Sequence, residues 1–119
     1  MPGLFQIAII GGGPGGVSVC LQLAQHLEKL DADHHRNLEI SIFEKNSFLG
    51  YGMPYACPEP SFCINLPKEF MKLTPEGEDD FPTWILKNHP DKDITPYPSR
   101  FYFGKYTEHR LYHEQKKTS

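Results

Sequence analysis

Near the start of the chain, six consecutive residues, Gly11-Gly12-Gly13-Pro14-Gly15-Gly16, are the stretch best suited to chemistry. Gly11, Gly13 and Gly16 fall in the G-x-G-x-x-G spacing, and each position has its own physical reason. A chain turning tightly out of a strand favours glycine at Gly11. A backbone that must approach a pyrophosphate without a Cβ in the way needs Gly13, and a helix lying close on its strand needs Gly16. The free N–H groups and the positive end of the following helix would then face two phosphates. The competing reading of a bare glycine pattern is a flexible Gly-Pro turn; its position between a strand and a helix favours the phosphate cradle.

Glu44 is the second group able to meet a ligand. An acid at the end of the second strand can accept hydrogen bonds from adenosine ribose hydroxyls. It stands further from Gly16 than the usual ~20 residues, a delay that a long helix and a polar connection explain. A carboxylate here also repels the 2′-phosphate of NADP(H), an effect that neighbouring Lys45 would soften. The alternative is an exposed strand-end glutamate with no ligand.

The elements that position these groups follow from hydropathy. Leu4 to Ile10 is a nearly continuous apolar run, the pattern of a strand buried on both faces of a parallel sheet. Val17, Cys20, Leu21, Ala24 and Leu27 then recur at helical spacing, with Gln22, Gln25 and Glu28 opposite, which predicts an amphipathic helix of about four turns. Asp31 to Asn37 reads as a polar connection. Leu38 to Phe43 alternates apolar and polar residues and predicts a second strand, completing a right-handed βαβ unit.

Beyond Glu44, Phe48 to Tyr55 is glycine-broken and aromatic and predicts an irregular loop. A helical turn is expected over Glu69 to Leu73. Asp79-Asp80 ahead of Phe81-Pro82 predicts an N-cap and a short helix through Lys87. Ser99 to about Gln115 predicts a further helix with Phe103, Tyr106 and Leu111 inward, although Gly104 is a poor helix former.

Hydrophobic residues make up 39% of the 119-residue chain and charged residues 23%, the chemistry of a globular domain. Eleven prolines favour turns and short elements over the middle of the chain. A net charge of −3 and a pI near 6.0 argue against a nucleic-acid partner. No apolar stretch approaches the length of a membrane span, and no secretory signal is recognisable, so a cytoplasmic location is expected.

With these residues placed, the chain resembles the N-terminal part of the FAD/NAD(P)-binding flavoproteins. The resemblance rests on Phe43-Glu44, Gly50-Tyr51-Gly52-Met53-Pro54-Tyr55, Asn65-Leu66-Pro67 and Met71 in that order, followed by Asp80-Phe81, Trp84, Arg100 and Gly104-Lys105-Tyr106. A more distant similarity is to flavin-containing monooxygenases. The resemblance implies FAD as the cofactor and NAD(P)H as a possible co-substrate. It implies a binding set of Gly11, Gly12, Gly13, Pro14, Gly15, Gly16, Glu44 and Lys45, with Asn65 near the flavin ring; for Asn65 the alternative is a turn cap. The expected fold class is α/β: a Rossmann-like βαβ FAD-binding unit over residues 1–46, then irregular loop and short helices over 47–119. Relatives in that family run several times longer, so the resemblance implies an incomplete two-dinucleotide-binding-domain fold. The rest would be a missing C-terminal portion or a second chain. The function expected is dinucleotide binding within an NAD(P)H-dependent flavin oxidoreductase, the alternative being a nucleotide-binding remnant without activity of its own.

Other signals are fainter. Cys57 and Cys63 are too far apart for a thioredoxin-like pair and read, with Cys20, as free thiols. His109 and His113 share a helix face without a third ligand, so no metal site is expected. His34 and His35 read as part of the polar connection. Tyr97, Phe101, Tyr102, Phe103 and Tyr106 read as packing rather than as a platform for stacking bases. No general base or nucleophile can be named.

Overall fold

The computed structural model describes residues 5–29, 38–46, 49–56, 62–75, 80–92 and 95–118. The polar connection Asp31 to Asn37 lies outside them, as do Cys57 and Asp79. Strand β1 (Phe5–Ile10) leads into helix α1 (Pro14–Glu28), and strand β2 (Leu38–Phe43) returns parallel to β1. The register pairs Phe5 with Leu38 and Ile10 with Phe43. This is a Rossmann-like βαβ unit, in which parallel strands must be joined by a crossover and here use α1 for it.

A one-turn helix α2 (Gly52–Tyr55) follows, then a 3-10 turn at Lys68–Phe70, helix α3 (Phe81–Asn88), a 3-10 turn at Pro90–Lys92, and helix α4 (Arg100–Thr118). Asp80 caps α3, its carboxylate accepting from the Thr83 N–H at 2.9 Å, with Pro82 in the first turn. That bond, through the side chain and backbone of Thr83, holds the Asp80 carboxyl below its usual range. Residues 62–64 and 98–100 form a short antiparallel contact, with a bridge between Cys63 and Ser99. Its hydrogen bonds run from Ile64 N–H to the Pro98 carbonyl at 3.0 Å and from Arg100 N–H to the Phe62 carbonyl at 2.8 Å.

The core lies among the helices. Val17 and Leu21 of α1 meet Ile64, Leu73, Phe81, Trp84 and Ile85, and Phe103, Tyr106 and Leu111 of α4. Phe81 is at its centre, its ring 5.2 Å from Phe103 in an edge-on contact and 5.4 Å from Tyr106. These offset and edge-on geometries are the ones that ring quadrupoles favour. The inner face expected of the last helix is therefore present.

Three expectations need correction. The β1 run is not buried on both faces: Phe5 is 70% exposed and Ile10 81%. Among the described residues the sheet has two strands, and the helices bury their apolar faces chiefly in one another, so β1 lacks the neighbours that burial would require. Residues 48–55 are not wholly irregular, because Gly52–Tyr55 closes one helical turn. The turn expected at Glu69 to Leu73 begins one residue earlier, as the 3-10 turn.

Since Phe81 is fully buried among aromatic rings, Phe81→Ala should destabilise the fold by about 3–5 kcal/mol. Leu86→Ala, on the exposed side of the same helix, should stay within about 0.5 kcal/mol. Urea unfolding followed by circular dichroism measures both. Equal losses would mean that the α3–α4 contact is not the stabilising centre.

Candidate functional site

The glycine run occupies the turn between β1 and α1. Gly11 has a φ of +101°, a left-handed conformation that glycine adopts without strain. Its N–H donates to the Phe43 carbonyl at 2.8 Å, extending the β1–β2 ladder one bond past the strands. Gly13 is the N-cap of α1, in extended conformation and without a side-chain cap, and Pro14 begins the helix. The N–H groups of Gly15 and Gly16 fall in the first turn, where an α-helix offers them no carbonyl of its own. The first turn of α1 also carries no acidic residue to neutralise its positive end.

The three glycines of the fingerprint have different surroundings. A Cβ on Gly16 would collide with the Gly11 carbonyl oxygen and stand 3.2 Å from Ile9 Cγ2, so this glycine sets how closely α1 lies on β1. A Cβ on Gly13 would stand 3.2 Å from Gly52 Cα. The protein's own backbone thus approaches Gly13 on that side. At Gly12 a Cβ would meet Leu49 Cδ2 at 2.5 Å and Glu44 Cβ at 3.1 Å, whereas Gly11 and Gly15 have nothing within 4 Å in that direction. The loop therefore has a covered flank at Gly12 and Gly13 and an open one at Gly11 and Gly15.

Glu44 follows β2 directly and reaches back to this loop. Its Oε1 accepts from the Gly12 N–H at 2.9 Å and its Oε2 from the Asn46 N–H at 2.9 Å. The Asn46 bond, then the Gly12 bond, holds its carboxyl below the ordinary glutamate range, and the Lys45 charge adds to this. A carboxylate offers about four lone-pair positions, so each oxygen keeps room for another donor. Lys45 itself is exposed. Asn65 is exposed, in a bend just after the short antiparallel contact.

Sequence reasoning missed the segment that covers the loop. Leu49, Gly50, Tyr51 and Gly52 cross its Gly12–Gly13 flank, with the Gly50 N–H donating to the Gly12 carbonyl at 2.5 Å. Gly50 and Gly52 have φ of +101° and +62°. Tyr51 donates to Glu108 Oε1 at 3.3 Å, and burial, reinforced by the Glu108 charge, pushes its phenol up to about 12. The available signal was a pair of glycines two residues apart, together with a lone glycine inside a helix, each a mark of close backbone approach.

The remaining candidates do not gather at the site. Cys63 is exposed, and the Cys20 thiol is raised first by burial and then by the Glu114 charge. The His109 and His113 rings stack 6.2 Å apart. Among the described residues no three histidine, cysteine or acidic side chains are placed to hold a metal ion, and no helix is long and apolar enough to cross a membrane.

A family model described as FAD-NAD(P)-binding matches residues 8–118, which takes in the glycine run, Glu44 and helices α1 to α4. No curated protein and no solved structure gives a significant match.

Because its pKa is lowered in the fold, the Glu44 carboxylate keeps its bond to Gly12 above the ordinary glutamate value of 4.5 and loses it only as pH falls through the lowered one. The Gly12 amide proton should therefore shift with an inflection below 4.5, followed by NMR, and the inflection should vanish in Glu44→Gln. An inflection at or above 4.5 would show that the two groups are not bonded in solution.

Proposed function

Because the chain belongs to the FAD-NAD(P)-binding family, we propose that Gly11–Gly16 and Glu44 hold the adenosine diphosphate half of FAD. The observation that carries this reading is the pairing of an uncapped α1 N-terminus with a carboxylate fixed beside it by the Gly12 N–H. On this reading the pyrophosphate lies along the open flank, facing the first-turn N–H groups of α1. Glu44 then directs its remaining lone pairs to the ribose hydroxyls, and Lys45 stands at the edge of that contact. The residues of the loop fit such a group: Gly11 and Gly15 leave space, and no acid of α1 opposes the phosphates.

FAD is favoured over a nicotinamide dinucleotide by the order of Phe43-Glu44, Gly50 to Tyr55, Asn65 and Met71, which resembles flavoproteins. Bound there, FAD would supply the redox chemistry of an NAD(P)H-dependent oxidoreductase, while these residues bind and orient it. Asn65 would serve the flavin end, as the similarity to monooxygenases suggests. The whole of residues 1–119 acts as one dinucleotide-binding domain in this reading, and a cytoplasmic setting suits its free thiol at Cys20.

Calorimetric titration of the purified chain with FAD, NAD and NADP tests the proposal. FAD should bind most tightly and NADP most weakly, because Glu44 repels a 2′-phosphate. Glu44→Ala should weaken FAD by about tenfold or more through loss of charged acceptors. Gly15→Val, whose side chain would enter the open flank, should abolish binding, with circular dichroism confirming that the helices persist. A folded Gly15→Val protein that still retains flavin would place the site elsewhere.

A further inference from the structure

The glycine loop is gripped from outside the βαβ unit, and the grip traces to helix α4. Two features of α4 admit the Leu49–Gly52 segment. Gly50 lies so close that a Cβ there would stand 2.6 Å from the Glu108 backbone nitrogen and 2.8 Å from its Cα. About one turn earlier in α4, a Cβ on Gly104 would run into the Tyr51 ring and come within 3.0 Å of the Tyr55 carbonyl. Glycines at facing positions thus let the segment seat backbone-to-helix, where larger residues would hold the two apart. The Tyr51 ring lies tilted 5.6 Å from Phe101, Tyr55 stands 5.3 Å from Phe103, and the Tyr51 hydroxyl donates to Glu108.

The same segment is bonded to the loop on its other side. Gly50 N–H donates to the Gly12 carbonyl, and the Gly12 N–H donates to Glu44. A displacement of Tyr51 is therefore carried through two successive hydrogen bonds to the carboxylate. We propose that Gly104 and Glu108 are positioning residues for the dinucleotide loop, acting through the Leu49–Gly52 strap to fix Gly12 and, through it, Glu44. The inference rests on the dinucleotide reading for its ligand, but its mechanical half stands on the contacts alone.

Gly104→Ala in the full 119-residue chain tests both halves. The added methyl must move the Tyr51 ring, so amide hydrogen exchange at Gly50 and Gly12 should quicken about tenfold or more, while Leu21 in α1 and Ile85 in α3 keep their rates. Affinity for ADP, the probe, should fall about tenfold in calorimetry. Glu108→Ala keeps the helix and the Cβ on which Gly50 rests and removes only the acceptor of the Tyr51 hydroxyl. It should move Gly12 exchange and ADP affinity the same way by about threefold, and it serves where Gly104→Ala does not fold. Unchanged Gly12 exchange in both variants would overturn the proposal. So would a rise shared equally by Leu21 and Ile85, which would make Gly104 a core-packing residue only. Quickened Gly12 exchange with undiminished ADP affinity would overturn it as well. A native chain that takes up no ADP would defeat the dinucleotide reading separately, and the exchange measurements would still decide whether α4 holds the loop.

Discussion

One residue, Gly12, holds three parts of the chain in register. Its N–H is committed to Glu44 at the end of β2, and its carbonyl to Gly50 of the strap. The Gly12 residue itself is buried. Buried backbone polar groups have to be paired, and both of these pairings reach outside the β1–α1 turn. A side chain at this position would meet both Leu49 and Glu44, so the residue that makes the two bonds must also be one that leaves room for them. The conformation of the loop is consequently set by the end of β2 and by the strap as much as by the glycine pattern.

That arrangement matters because the sheet is a poor anchor. Two paired strands with Phe5, Ile10 and Phe43 largely exposed contribute little burial, and isolated short pairs of strands are marginal in water. The strongly buried groups are on α1, α3 and α4, where Phe81, Ile85 and Tyr106 exclude solvent almost completely. The glycine loop stands at the boundary between the two regions. It is fastened to the helical side by Val17 and Leu21 of α1 and by the strap that rests on α4. The Ser18 hydroxyl adds a bond to the Leu73 carbonyl, tying α1 to the middle of the chain.

Elements governed by local pattern were legible in the sequence. The spacing of Val17, Leu21 and Ala24 gave the buried face of α1, and Asp80 before Phe81-Pro82 gave the start of α3, because caps and amphipathic periodicity are written within a few residues. The inward face of α4 was legible for the same reason. The glycine loop and Glu44 could be located, but the bond from Glu44 to Gly12 could not, since it joins residues far apart through a turn geometry that composition does not specify. Burial of β1 was misjudged because an apolar run records what a strand can tolerate, not how many neighbours it receives. Gly104 was read as a cost to helix formation. That cost is real, yet it is local, and the close approach of Tyr51 that requires it is visible only once residues 51 and 104 are in contact.

Electrostatics divide the loop along the same line as its two flanks. On the covered flank, Glu44 sits against Gly12 with its charge steadied by two N–H donors and by Lys45, so its negative potential is partly spent on the protein itself. On the open flank, the first turn of α1 has neither an acidic side chain nor a side-chain cap, and its unpaired N–H groups keep the positive character of a helix start. A carboxylate placed against an anion site would ordinarily oppose the anion. Here the Asn46 and Gly12 N–H groups stabilise the carboxylate, which is why its pKa is lowered. The proposed dinucleotide would meet the two flanks in turn, phosphates against the helix start and ribose hydroxyls against the glutamate. An added phosphate on the ribose would meet the carboxylate directly. On the proposed reading, the selectivity of the site follows from which side of Gly12 each charge occupies.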